Sequence, residues 1–285
     1  MKIIESPEEM QSEARALRKT GRRIALVPTM GFLHEGHMSL VRLARSHADL
    51  VIVSLFVNPT QFGPTEDFER YPRNRSKDDD LCRKEGVNIL FCPEASALYA
   101  SNASVSVVEE QLSKGLCGAS RPGHFRGVCT IVAKLFHLCD PDIAVFGCKD
   151  AQQLRIIERM VRDLNFPVRI VRGPIQREPD GLAMSSRNAR LSPEERQQAL
   201  CLRRALDQAE ARVAQGEKQA HILVDTMTRI VREESLAQVD YIHIVDEETL
   251  EPLQVLRGPA LAALAVFFGS TRLIDNALLR TQDGG

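Results

Sequence analysis

The sequence predicts an α/β protein: a Rossmann-like, doubly wound parallel sheet over residues 1–175, followed by a smaller α+β domain over 176–285. Three observations carry this. Short apolar runs alternate with helical stretches through the first 175 residues, as in β-α units whose strands are covered on both faces. The run Ile24-Ala-Leu-Val-Pro28 passes into a loop holding Gly31 and Gly36 and then into a helix, the order of a nucleotide site at the end of a parallel strand. After Gly173 the texture changes to a polar stretch with Pro174, Pro179 and Gly181.

The elements follow in order. Residues 7–19 read as a helix and 23–28 as a buried strand. A helix over 39–48 leads to the apolar strand 50–57, then to a helix over 78–85 and a short strand over 87–91. Residues 127–138 look like a buried helix before the strand 143–146, and the long amphipathic helix 151–164 precedes the strand 168–171. Beyond the polar loop 173–188, helical runs over 193–215 and 221–234 and strands over 241–245 and 262–268 make up the smaller domain. The boundary is placed near Ile175. No internal repeat or low-complexity tract appears.

Composition bounds the function. At 285 residues the chain can bury a sizeable core, and its 44% hydrophobic and 26% charged residues are those of an ordinary globular protein. A net charge of -1 supplies no global field for nucleic acid or an acidic membrane, and basic runs such as 15–23 read as solvated helix faces. Seven cysteines without regular spacing indicate reduced thiols. The N-terminus lacks the apolar core of a signal peptide and no run approaches transmembrane length, so a cytoplasmic location is expected.

The chemistry concentrates where the sheet would present its carboxyl ends. In Met30-Gly-Phe-Leu-His-Glu-Gly-His37, two histidines stand three residues apart between strand and helix. Free N–H groups at a helix N-terminus favour phosphate, and glycines let the backbone approach it. A zincin motif needs histidines four apart, and no Cys-x-x-Cys or compact Cys/His cluster supplies a third ligand. An inert pair is the other reading; the placement between strand and helix favours an H-x-G-H adenylylation site.

Three further segments join it. Asn58-Pro-Thr-Gln-Phe-Gly63 follows a strand; Asn58 and Pro59 suit a turn, whereas the Gln61 amide can orient a small polar acid. Gly147-Cys-Lys-Asp150 offers close approach, positive charge for phosphate at Lys149 and a ribose acceptor at Asp150, or else an ordinary helix cap. Gln153 lies one turn further along the same crevice. Met184-Ser185-Ser186-Arg187-Asn188 suits triphosphate oxygens, or a polar turn. The acidic run Asp78-Asp79-Asp80 reads as a solvated helix start, with metal contact as the alternative.

Taken together, these segments resemble the pantoate–β-alanine ligase family. PTMGFLHEGHMSLV, SLFVNPTQFGPTEDFERYPR, RPGHFRGV, KDAQQL and DGLAMSSRN stand here in that family's order and spacing. The resemblance covers most of the chain, more thinly in the C-terminal domain. It implies a cytoplasmic homodimer of the H-x-G-H adenylyl-transferring superfamily, whose C-terminal domain acts as a lid with a counterpart of the synthetase K-M-S-K-S loop.

It also implies roles. Met30, Gly31, Phe32, Leu33, His34, Glu35, Gly36 and His37 would wrap ATP, with both histidines at the phosphates and His37 the proton donor. Gly147, Cys148, Lys149 and Asp150, with Met184, Ser185, Ser186 and Arg187, would complete the ATP site, and Gln176 would touch adenine through its backbone. Gln61 would hold pantoate and β-alanine, and Gln153 pantoate. His124 and Arg126 are candidates near the amine substrate. Mg²⁺ would travel with the triphosphate.

Two positions depart from the family pattern, Cys148 for Glu and Ala151 for an aromatic. They touch the packing around Lys149 and Asp150 and a contact across the domain interface, and they leave a thiol that is either activated by the neighbouring cation or buried and inert. The expected activity is ATP-dependent condensation of (R)-pantoate with β-alanine through pantoyl adenylate. The alternatives are another H-x-G-H nucleotidyltransferase, which needs no amine acceptor, and an ATP-binding homologue that has lost catalysis.

Overall fold

The structure is a computed structural model and describes residues 1–64 and 66–281. The chain divides into two compact units. The first comprises Met1–Glu110, Arg121–Cys148 and Gln153–Gln176; the second comprises Gln111–Ser120, Lys149–Gln152 and the chain from Arg177 onward.

In chain order the sequence forms β1 (Lys2–Ile4), α1 (Pro7–Arg18), β2 (Ile24–Thr29), α2 (Glu35–His47), β3 (Leu50–Leu55), α3 (Arg75–Lys84), β4 (Ile89–Phe91) and α4 (Ala95–Leu98). Then come α5 (Cys117–Ser120), α6 (His124–Cys139), β5 (Ile143–Gly147), α7 (Ala151–Asp163) and β6 (Arg169–Gly173). Six strands make one parallel sheet in the order β1-β4-β3-β2-β5-β6. Winding starts at β2, proceeds outward through β3 and β4, then returns to β5 on the other side of β2. The carboxyl ends of β2 and β5 therefore flank the switch in strand order, where open α/β sheets bind ligands. β2 and β3 are almost wholly buried, as strands covered on both faces must be. β1, which the sequence reading omitted, is a three-residue edge strand paired with β4.

Helix starts follow their caps. Ser6 accepts the amide of Glu9 at 3.1 Å ahead of Pro7, so α1 begins where a preset φ and an acidic first turn suit it. α2 begins at Glu35, four residues before the expected start, which makes the H-x-G-H segment its first turn rather than a loop. Histidine is not among the usual cap residues, so this N-terminus carries no ordinary cap signal.

The second unit holds α5, α8 (Pro193–Ala199), α9 (Cys201–Ala214) and α10 (Ala220–Arg232) with an antiparallel sheet of β7 (Ala237–Asp246), β8 (Ala260–Phe268) and β9 (Thr271–Leu279). The helical run expected over 193–215 breaks at Leu200. The unforeseen β9 returns from β8 through a two-residue turn with Gly269 at φ +56°. Buried Asp275 and Asn276 interrupt its apolar pattern. The polar loop is more ordered than expected, with a bridge between Arg177 and Ala183 and a 3-10 turn over Ser186–Arg190.

One helix contact sets the placement of a site residue. The backbone of α6 lies against the 3-10 turn Pro59–Gln61, so that a Cβ on Gly127 would stand 2.4 Å from the Thr60 carbonyl oxygen. Backbone cannot swing aside as a side chain can. Gly127→Ala should cost about 1–3 kcal/mol in urea unfolding; wild-type stability would show that the two backbones are not held so close.

Candidate active site

The β2–α2 turn is built on two left-handed residues. Gly31 sits at φ +83° and Phe32 at φ +50°, and a non-glycine residue held there costs about 1–3 kcal/mol. A Cβ on Gly31 would approach Leu55 Cδ2 to 3.0 Å and Asp78 Oδ2 to 3.2 Å, so glycine is needed for space as well as for φ. Thr29 Oγ1 accepts the Gly31 amide at 3.3 Å and donates to the Ser54 carbonyl at 2.8 Å. Asp78 Oδ2 accepts the Phe32 amide at 2.8 Å, and Oδ1 accepts that of Leu33 at 2.7 Å.

The expectation of a solvated helix start at 78–80 fails at Asp78, while Asp80 is exposed. α3 starts at Arg75 behind the Asn74 cap, and Asp78, the acidic residue of its first turn, is 1% exposed. Burial pushes its carboxyl above the usual carboxylate range, against the pull of the two amides. Asp79 instead meets Arg75 at 2.7 Å.

His34 caps α2 from an extended conformation. Its Nδ1 accepts the Gly36 amide at 3.1 Å, while His37 Nδ1 accepts the His34 amide at 3.3 Å, a capping box made of two imidazoles. The ring centroids are 4.1 Å apart. A neutral imidazole that accepts at Nδ1 carries its proton on Nε2, so the box makes both histidines Nε2–H donors. They stand at the positive end of α2. The Glu35 side chain is turned to Arg42, which also meets Glu85 at 2.7 Å.

The second segment is tied to the first. Asn58, 1% exposed, donates from Nδ2 to Gln61 Oε1 at 3.1 Å and to the Gly127 carbonyl at 3.2 Å. Its Oδ1 accepts the Thr60 amide and hydroxyl and the Tyr99 hydroxyl. The turn reading of Asn58 therefore holds, and the turn carries the buried Gln61. The Gln61 amide reaches Met30 Sδ at 3.3 Å. His124 lies behind it: Nδ1 donates to the Gln61 carbonyl at 2.8 Å, and Nε2 accepts from Arg121 at 2.9 Å. Arg121 also grips Glu66 at 2.7 and 2.6 Å. Burial alone would raise the Glu66 carboxyl, but Arg121 outweighs it and holds it below its ordinary value. His124 thus braces the turn that carries Gln61, and Arg126 reaches Ser106 at 3.0 Å. Tyr99, Arg121 and Glu66 were missed because nothing in their spacing links them to Asn58 or Gln61.

Gly147 ends β5 beside β2, and Gln153 and Gln176 are half-buried in the same unit. Burial, opposed by Arg172 and Arg155, raises the Cys148 thiol above its usual range, which favours the inert thiol over the activated one.

In the second unit, Lys149 Nζ lies 3.7 Å from Asp150, and its carbonyl accepts Asn276 Nδ2 at 2.9 Å. Ser185 Oγ accepts the Arg187 amide at 3.2 Å and so caps the turn in which Ser186 is buried; Met184 is half-buried just before it. Asp275, 2% exposed, takes both arms of Arg177 at 2.6 and 2.9 Å and fixes the chain ahead of that turn. Gln152 closes the loop leading to α5 through the Cys117 amide and the Leu112 and Gly115 carbonyls. These supports were missed too, although the polar pair Asp275–Asn276 inside an apolar run was a usable signal. Among the described residues, no group of three or more His, Cys, Asp or Glu side chains is placed to hold a metal ion.

The pantoate–β-alanine ligase family model matches residues 2–278. The pantothenate synthetase of Thermotoga petrophila is 53% identical over 279 residues, spanning 98% of this chain and all of that one. That of Geobacter sulfurreducens is 52% identical, with 98% and 99% covered. Among solved structures, pantothenate synthetase from Thermus thermophilus superposes with a TM-score of 0.92 at 42% identity, covering 97% of this chain and 99% of that one. Pantoate–β-alanine ligase from Francisella tularensis, complexed with beta-gamma ATP and β-alanine, gives 0.81 at 33% identity, covering 98% and 97%. With the model spanning both units and relatives half identical over nearly their whole length, the chain belongs to the pantoate–β-alanine ligase family.

Proposed function

We propose that the enzyme makes pantothenate in two steps on one ATP, with the paired imidazoles of α2 serving the first. A carboxylate is a poor acylating agent because its leaving group would be oxide. One pantoate carboxylate oxygen attacks the α-phosphorus, the bond to pyrophosphate breaks, and pantoyl adenylate forms. The β-alanine amine then attacks the acyl carbon, loses a proton, and AMP leaves with the bridging oxygen. Charge builds on the phosphate oxygens in the first step, and preorganised donors lower that barrier most.

The observation that carries this reading is the histidine capping box, which engages both imidazoles at Nδ1 at a helix N-terminus and so leaves the proton of each on Nε2. His34 and His37 meet the phosphates, with His37 the proton donor, and the backbone from Met30 to His37 wraps the nucleotide. Lys149 and Arg187 add positive charge. Gly147, Cys148, Asp150, Gln176 and Met184 to Ser186 complete the ATP contacts. Gln61, buried against Met30, orients pantoate and then β-alanine, and Gln153 holds pantoate. ATP enters as its Mg²⁺ complex, the metal held mainly by the triphosphate. The enzyme works as a cytoplasmic homodimer in the pantothenate branch of coenzyme A synthesis, as its family resemblance implies. No helix among the described residues is long and apolar enough to cross a membrane.

Purified protein given ATP, Mg²⁺, pantoate and β-alanine should release AMP, pyrophosphate and pantothenate in equal amounts. It should also exchange labelled pyrophosphate into ATP with pantoate alone. Folded, ATP-binding protein that does neither would sink the reading. EDTA should stop the exchange and Mg²⁺ restore it; exchange persisting in EDTA would remove the metal. His37→Ala should slow exchange by ~10²–10³-fold while lowering stability only by a lost cap, about 1 kcal/mol. Undiminished exchange would take His37 out of the chemistry.

A further inference from the structure

We propose that Asp78 is a positioning residue for the adenylation step, acting through the backbone of the H-x-G-H turn. The inference rests on the reading that this turn takes ATP. Asp78 comes from α3, 45 residues beyond Leu33 in sequence, and its two oxygens are divided between consecutive amides, Phe32 and Leu33. That division fixes the orientation of both peptide planes, which one oxygen on one amide would not. The next residue is His34, whose own amide is the donor that orients His37. The direction of both imidazoles therefore descends from the planes that Asp78 sets.

Phe32 is the residue most in need of such a hold. It keeps a left-handed conformation without being glycine, and Leu33 is buried where no water can replace a lost acceptor. Releasing the carboxylate would orphan two amides and let the turn relax. A displacement near 1 Å at reacting groups costs ~10²-fold in rate. Asp79, on the same helix but paired with Arg75, has no contact of this kind. The role therefore belongs to one carboxylate and not to the acidic run.

The test compares Asp78→Asn with Asp79→Asn in the full-length protein. An amide side chain can accept from only one of the two N–H groups through its oxygen, and its own NH₂ opposes the other. Asp78→Asn should lower pantoate-dependent pyrophosphate exchange by ~10²-fold and speed hydrogen exchange at the amides of residues 31–37, leaving the other protected amides of the sheet as they were. Asp79→Asn should keep the wild-type rate. Equal losses in both variants would mean that the acidic run acts through its charge and would overturn the proposal. So would a rate within twofold of wild type in Asp78→Asn, or exchange that quickens uniformly over the chain. If Asp78→Asn does not fold, the wild-type protein still decides, since fast-exchanging Phe32 and Leu33 amides would refute the clamp. If the wild-type protein shows no pyrophosphate exchange, the ligase reading fails, while amide exchange in wild type and variant still tests the clamp.

Discussion

Between β2 and α2 the chain passes through two left-handed residues, Gly31 and Phe32, and the buried carboxylate of Asp78 accepts the amides of Phe32 and Leu33. The cap of α2 and the closure of Leu55 on the turn both adjoin that arrangement. The turn must be tight for His34 to reach the cap position of α2, and Gly31 must lack a side chain for Leu55 and Asp78 to close on it. The two amide hydrogen bonds oppose the desolvation of this carboxylate without outweighing it. Local backbone cost and local chemistry coincide here, as they do where strained residues serve function.

The second dependence runs through Asn58. Its side chain joins the turn that bears Gln61 to the Gly127 carbonyl of α6 and to Tyr99. His124 and Arg121 close the same turn from the other side. Gln61 is consequently presented with its carbonyl and its Oε1 both engaged, and its amide nitrogen against Met30. A glutamine so constrained has little rotamer freedom left to lose. Polar groups that look dispensable one at a time form a connected network, and such networks rigidify when every member is satisfied.

Sequence and structure agree best where periodicity speaks. The buried strands at 24–29 and 50–55 read directly as apolar runs, and the alternation with helices foretold a parallel sheet. Strand ends, caps and short elements were less legible. α2 was placed four residues late because imidazole caps have no place among ordinary capping residues, and β1 was too short to leave a pattern. β9 was hidden by the polar pair Asp275–Asn276, whose burial depends on Arg177 and on the Lys149 carbonyl, contacts made at long range. Among the candidate residues, His34, His37, Gln61 and the segments around Lys149 and Ser185 stood out by residue type and placement. Asp78 did not, because an acidic run at a helix start looks the same whether it faces water or a neighbouring turn.

The central claim is that the acid is activated as an acyl adenylate before the amine attacks, which fixes the fate of one oxygen atom. Pantoate carrying ¹⁸O in its carboxylate would bond one labelled oxygen to the α-phosphorus, and that oxygen would depart with AMP when β-alanine displaces it. The most direct test is mass spectrometry of the AMP formed in a complete reaction with labelled pantoate. One ¹⁸O in each AMP phosphate is the result this account predicts. Unlabelled AMP, or label appearing in pyrophosphate, would contradict it.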